Sequence, residues 1–239
     1  MIIRGRLSPN FNARPAGARV DMLVLHYTGM QTAREAIERL CDRDAKVSAH
    51  YVIDEDGTVS RLVTEQNRAW HAGVSFWQGT TDVNGASIGI ELVNPGHEWG
   101  YRDFPEPQMA ALIELARGIL ARHPIPSDRV VGHSDVAPMR KQDPGERFDW
   151  ARLARTGVGL WPEETGAPPM RTIDEAQAAL AEIGYAVPRA GALDGETHAA
   201  LIAFQRHFRP VRCDGEFDDE TGARLAVVAA AVRKSRLAR

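Results

Sequence analysis

Only two cysteines, Cys41 and Cys213, occur in 239 residues, and they lie far apart, so no disulfide framework is expected and both read as buried thiols. Positive charge is not in surplus either. With 29 Lys and Arg against 32 Asp and Glu the formal charge is -3, which argues against a nucleic-acid partner, whose phosphates call for a basic face. No apolar run approaches the roughly 20 residues of a membrane span, and the opening M-I-I-R-G-R-L-S-P-N has no apolar stretch of the secretory kind. A cytoplasmic chain is therefore expected, with the cell envelope as the alternative. The basic end, Arg233, Lys234, Arg236 and Arg239, reads as a frayed helix end.

What is present is an ordinary globular composition, 44% hydrophobic and 26% charged, in a chain long enough for one sizeable core and a smaller unit. M-L-V-L-H-Y at 22–27 is a continuous apolar run of strand length, too uniform for a strand with one wet face, so a central position in a sheet is expected. Thr32 and Glu35 form a capping box ahead of Ala36, Ile37, Leu40 and Cys41, which share one helical face. Alternation at 51–53 and 58–63 around Asp56-Gly57 reads as a hairpin. A Gly-, Thr- and Asn-rich loop at 73–85, carrying Trp77 and preceded by Trp70, is either a substrate wall or a segment stapled to the core by its tryptophans.

In S-I-G-I-E-L-V at 87–93, Ile88, Ile90 and Leu92 point one way while Ser87, Gly89, Glu91 and Val93 point the other, so Glu91 has small neighbours. A carboxylate there costs free energy unless solvated, paired or used. A helix follows at 107–123, with Met109, Leu112, Ile113, Ala116, Ile119 and Leu120 on its buried stripe, and a strand at 129–132 delivers His133.

The stretch V-V-G-H-S-D-V-A-P-M-R-K-Q-D-P-G-E-R-F-D at 130–149 places His133 at a strand end and returns Asp143 on a Pro/Gly-rich loop. One imidazole and one carboxylate are thus offered to a single metal ion; a catalytic zinc site takes three protein ligands and leaves a fourth position open, and His26 is the candidate third. Lys141, two residues before Asp143, would project on the same side in an extended loop.

These residues resemble a known family. L-H-Y-T-G at His26, R-A-W-H-A-G at His71, S-I-G-I-E-L-V-N-P-G at Glu91, G-H-S-D-V-A-P-M-R-K-Q-D-P-G at His133 and L-W-P at Trp161 are similar, in order, to zinc-dependent N-acetylmuramoyl-L-alanine amidases. These belong to the type-2 amidase superfamily, which includes the peptidoglycan recognition proteins, and the pattern resembles the amidase D subgroup. The resemblance runs over about 20–162. It implies a mixed central β-sheet flanked by helices, one zinc ion held by His26, His133 and Asp143, Glu91 as the catalytic carboxylate and Lys141 as its assistant. Tyr27, His50, Trp70, His71 and Asn84 are the candidate substrate or supporting contacts. The substrate implied is peptidoglycan or its muropeptides, with the sugar in ordinary or 1,6-anhydro form. A non-catalytic recognition protein and a peptidase acting within the stem peptide are the alternatives. His97, His123, His198 and His207 carry no expected chemistry.

A Pro/Gly-rich linker near Gly166 marks the expected boundary between a catalytic domain at 1–165 and a three-helix domain at 166–239. Helices are expected at 173–183, 197–208 and 221–232. An internal echo, Asp194-Gly195 before Thr197 and Asp214-Gly215 before Thr221, assigns each threonine as an N-cap. This part resembles peptidoglycan-binding modules.

Overall fold

Strand 22–27 is central in the sheet, with a parallel neighbour along each edge and a helical layer packed on each face. In the computed structural model, which describes residues 3–163 and 166–238, the strands are β1 (Ile3–Gly5), β2 (Phe11–Ala13), β3 (Met22–Tyr27), β4 (Tyr51–Ile53), β5 (Val59–Arg61), β6 (Asn67–Ala69), β7 (Ser87–Leu92) and β8 (Val130–Gly132). The helices are α1 (Ala33–Leu40), α2 (Val83–Ala86), α3 (Gly96–Trp99), α4 (Glu106–Arg122), α5 (His133–Val136), α6 (Trp150–Arg155), α7 (Ile173–Ile183), α8 (Gly195–Phe208) and α9 (Asp219–Leu237). The main sheet has the order β1-β5-β4-β7-β3-β8, and β2 pairs with β6 apart from it. β4, β7, β3 and β8 run parallel, while β5 turns back on β4 through the Asp56-Gly57 turn, so the sheet is mixed.

The alternation of β3 and β7 divides the protein into layers. Leu23, Leu25, Ile88, Ile90 and Leu92 pack on Met109, Leu112, Ala116 and Ile119 of α4. Leu115 joins this core, whereas Ile113 and Leu120 are only partly buried, so the buried stripe is narrower there than its spacing predicts. Truncating a fully buried leucine such as Leu112 to alanine would cost about 2–5 kcal/mol. On the opposite face Met22, Val24 and Val131 meet Leu180, Phe204 and Val228 of the three C-terminal helices. The linker divides the chain, but one apolar core runs from the sheet into those helices.

Several local expectations change. Asp194 and Asp218, not the threonines, are the N-caps: their carboxylates accept the Thr197 and Thr221 backbone N–H groups at 2.7 and 2.8 Å. The threonine hydroxyls are used differently. Gln177, fully buried, donates to Thr197 Oγ1 and Ala192 O and accepts from Gly191 N; Gln205 repeats this with Thr221 Oγ1, Glu216 O and Gly215 N. The internal echo is therefore a repeated helix-loop-helix clasp. Over the described residues the basic end is not frayed, since α9 continues to Leu237 and Arg233 and Arg236 both bond Glu182 of α7; Arg239 lies outside the described residues. Cys41 and Cys213 are partly exposed rather than buried, and both are free.

The loop at 73–85 staples rather than walls. Trp77 is buried edge-on to Tyr185 at 4.9 Å, its indole donates to Asp128 O, and Gln78 N donates to Gly184 O. Gly184 has φ +151°, and a Cβ there would lie 2.7 Å from the Trp77 indole, so the close approach requires glycine.

Candidate metal centre

In parallel α/β sheets the carboxyl ends of the strands are where ligands are met, and three strands end together here. Register pairs His26 of β3 with Glu91 of β7, and β8 pairs Leu25 with Gly132, so His133 emerges level with His26. The loop after α5 then folds back: Ser134 N donates to Asp143 O at 2.8 Å, bringing that carboxylate alongside. His26 Nδ1 and His133 Nδ1 lie 2.9 Å apart, and Asp143 Oδ2 lies 3.1 Å from each. All three side chains are buried.

Hydrogen bonds behind the rings determine what those three atoms are. The Ser87 hydroxyl donates to Val83 O, so it accepts from His71 Nε2; His71 Nδ1 is then an acceptor and receives the proton of His26 Nε2 at 3.0 Å. Burial, reinforced by the neighbouring His133, brings His26 down to about 4, and burial likewise holds His71 well below the usual histidine range, so both rings are neutral. His26 therefore presents a bare Nδ1 lone pair. His133 Nε2 can only donate to Ala72 O at 3.1 Å, so Nδ1 is the atom it turns toward His26 and Asp143. Two imidazole nitrogens and a carboxylate oxygen crowd within 3.1 Å of one another. The edges of that triangle approach the roughly 3.3 Å separating ligands of a tetrahedral zinc site. The donor set fits a metal ion, and each imidazole has the orienting partner such ligands need. Gly89 makes this possible, because a Cβ there would lie 2.5 Å from the His71 ring.

A cavity of about 390 Å³ opens over this triangle, lined among others by Tyr27, Trp70, Glu91, His97, Arg140 and Lys141. Glu91 Oε2 is buried with no hydrogen-bond partner among the described residues. Burial, aided by the charge of Asp143 and opposed by Lys141, holds its carboxyl well above the usual range. A general acid-base group works best when its pKa approaches the operating pH. Lys141 borders the same cavity, and its charge is felt by both Glu91 and His26.

The remaining candidates separate by position. Tyr27 faces the cavity, its hydroxyl pushed up to about 12 by burial and bonded to His97 Nδ1 at 2.9 Å. Trp70 and His71 also line the cavity. His50 and Asn84 lie behind it: His50 Nδ1 accepts from Gly89 N, and Asn84 Oδ1 accepts from the backbone N–H groups of His71 and Ala72. No residue of the loop 73–85 lines the cavity among the described residues. His97, read as inert from the sequence, stacks on Tyr101 at 4.3 Å and bridges Tyr27 to Glu146 at 3.1 Å. Only its nearness to Asn94-Pro95-Gly96 could have drawn attention to it. Among the described residues no helix is long and apolar enough to cross a membrane.

The fold and site define a mixed-sheet α/β protein with a two-histidine, one-aspartate centre that can hold a metal ion. A family profile described as N-acetylmuramoyl-L-alanine amidase matches residues 16–146, and one described as a peptidoglycan binding domain matches residues 171–225. The chain belongs to the N-acetylmuramoyl-L-alanine amidase family. It is 38% identical to the N-acetylmuramoyl-L-alanine amidase AmiD of Escherichia coli (strain K12), over 91% of this chain and 85% of that protein. The 1,6-anhydro-N-acetylmuramyl-L-alanine amidase AmpD of Haemophilus influenzae is 35% identical over 61% of this chain and 86% of its own length. Among solved structures, the complex of E. coli AmiD with anhydro-N-acetylmuramic acid-L-Ala-D-γ-Glu-L-Lys superposes with a TM-score of 0.80 at 35% identity, covering 91% of this chain and 92% of that one. AmpDh3 from Pseudomonas aeruginosa in complex with an anhydromuramic pentapeptide also gives 0.80, at 36% identity over 91% and 94% of the two chains.

Proposed function

We propose that this amidase hydrolyses the bond between the lactyl group of N-acetylmuramic acid and the L-alanine of the stem peptide, using one zinc ion held by His26, His133 and Asp143. The substrates are peptidoglycan or its muropeptides, with the sugar in ordinary or 1,6-anhydro form. When bound, zinc polarises the scissile carbonyl as a Lewis acid and acidifies water. Glu91 takes the proton of the attacking water on Oε2 and returns it to the departing amide nitrogen, which leaves as the free amine of L-alanine. Lys141 places its ammonium beside the oxygen that becomes negative when the carbonyl carbon turns tetrahedral. Tyr27 and Trp70 contact the substrate from the cavity wall. His71 keeps His26 in its ligating tautomer, while His50 and Asn84 hold the backbone behind the centre.

The observation that carries this reading is the convergence of two imidazole nitrogens and a carboxylate oxygen, with a cavity above them bordered by Glu91, whose buried Oε2 has no partner among the described residues. Zinc-loaded protein incubated with muropeptides should release peptides that begin with a free L-alanine amine, as seen by mass spectrometry. Cleavage within the stem would instead indicate a peptidase, and intact substrate would sink the hydrolytic assignment. Glu91→Gln should retain zinc and lower kcat by about 10²–10⁴-fold. Matched anhydro and ordinary muropeptides are both expected to be cleaved, and a large rate bias would refute acceptance of both forms.

A further inference from the structure

Asp135 lies two residues after the ligand His133, is 1% exposed, and takes no part in the chemistry above. Its carboxylate is held by three donors. Oδ2 accepts from Gly132 N at 2.7 Å, closing the first turn of α5 around His133, and from His207 Nδ1 at 2.8 Å. Oδ1 accepts from the Tyr185 hydroxyl at 2.6 Å. His207 belongs to α8 and Tyr185 follows α7, so both reach across from the C-terminal helices.

These two residues are themselves held firmly. The His207 ring stacks between Trp150 at 3.8 Å and Phe208 at 4.0 Å, and Tyr185 meets Trp77 edge-on. On the other side, α5 begins with His133 and ties down the loop that brings Asp143 through the Ser134 N to Asp143 O bond. A buried carboxylate stays in place only while its donors remain, because an unpaired one is costly. Removing either donor lets Asp135 move, and the α5 turn moves with it.

We propose that Tyr185 and His207 are positioning residues of the metal centre, acting through Asp135 to fix His133 and Asp143, so that the C-terminal helices form part of the catalytic unit. This rests on the reading of the His26–His133–Asp143 triangle as a zinc site. The test uses the full chain as wild type, Tyr185→Phe, His207→Phe and His207→Asn. His207→Phe keeps a stacking ring but deletes the donor, whereas His207→Asn keeps a donor near the Nδ1 position. Zinc affinity is measured by competition with a chelating dye, beside the melting temperature of the metal-free protein and kcat and KM on a muropeptide.

Tyr185→Phe and His207→Phe should each weaken zinc binding about tenfold, the lower end of what losing an outer partner of a metal site costs. His207→Asn should recover most of that loss. Activity should fall through kcat, with KM little changed. Wild-type zinc affinity in Tyr185→Phe and His207→Phe, even with lowered melting temperatures, would overturn the proposal and leave the contact as a brace between layers. Should His207→Phe not fold, Tyr185→Phe, which deletes a single oxygen, decides the question. A wild type that binds no zinc would overturn the metal reading itself, and this proposal with it.

Discussion

Two groups of buried polar side chains teach opposite lessons. In the C-terminal helices, Gln177 and Gln205 each donate twice and accept once, and every partner is a loop backbone group or an N3 threonine. At the strand ends, two imidazoles and a carboxylate turn one atom each toward a common point, and Glu91 Oε2 has no partner among the described residues. The first group satisfies itself and makes structure. The second satisfies its outer atoms, through His71, Ser87 and Ala72, and leaves its inner ones for a cation and a substrate. Where buried groups are fully paired they specify a fold; where they are left unpaired at an open cavity they indicate chemistry.

The sharpest way to break this contrast is Asp143→Ala. Zinc affinity should fall by more than about 100-fold, beyond the usual cost of an outer partner, with little change in the melting temperature of the metal-free protein. A large destabilisation with zinc retained would make Asp143 structural and erase the distinction. Next comes Lys141→Met, expected to lower kcat by about 10²–10³-fold with zinc content unchanged; full activity would remove Lys141 from the reaction. Gln205→Ala should do the reverse. Gly215 N loses its acceptor, while Thr221 Oγ1 keeps Arg209 and Glu216 O keeps the Thr221 hydroxyl, so the cost should be about 1–3 kcal/mol, roughly 2–12 °C in melting temperature, while zinc affinity holds. An unchanged melting curve would mean that the clasp does not brace the helices.

The smallest expected effect concerns a third buried group, Glu65, which is structural by the same criterion. Burial pushes its carboxyl up, but hydrogen bonds from Arg122, His123 and Tyr51 outweigh this and bring it down to about 2 from an ordinary 4.5. A depressed carboxyl contributes stability that is fully present above 4.5 and is lost as the pH falls toward 2. The gap in urea midpoint between wild type and Glu65→Gln should therefore be widest near neutrality and close through that acid window. A gap independent of pH would show that the charge of Glu65 contributes nothing.

Much of the frame was legible because it depends on local chemistry. The uniform apolar run of β3, the Thr32 and Glu35 capping box and the Asp56-Gly57 turn are short-range patterns, and each forms as expected; the α4 helix forms too, with Leu115 buried and Ile113 and Leu120 only partly so. The N-caps of α8 and α9 were misplaced by three residues because aspartate and threonine both favour that position, and only the backbone angles distinguish them. The C-terminal basic residues were read as frayed because pairing with Glu182 depends on how α9 lies against α7.

By itself, the sequence determined which strands end in His26, Glu91 and His133 and which loop brings Asp143, since strand period and motif order are properties of neighbouring residues. Tertiary structure alone decided that His71 would occupy the space above Gly89 and set the tautomer of His26, that His97 would reach Tyr27, and that His207 and Tyr185 would grip Asp135 from the far end of the chain. Those hydrogen bonds join residues from 45 to 72 positions apart. No local periodicity encodes such distances; they arise when the layers close on the sheet and buried polar atoms must find partners.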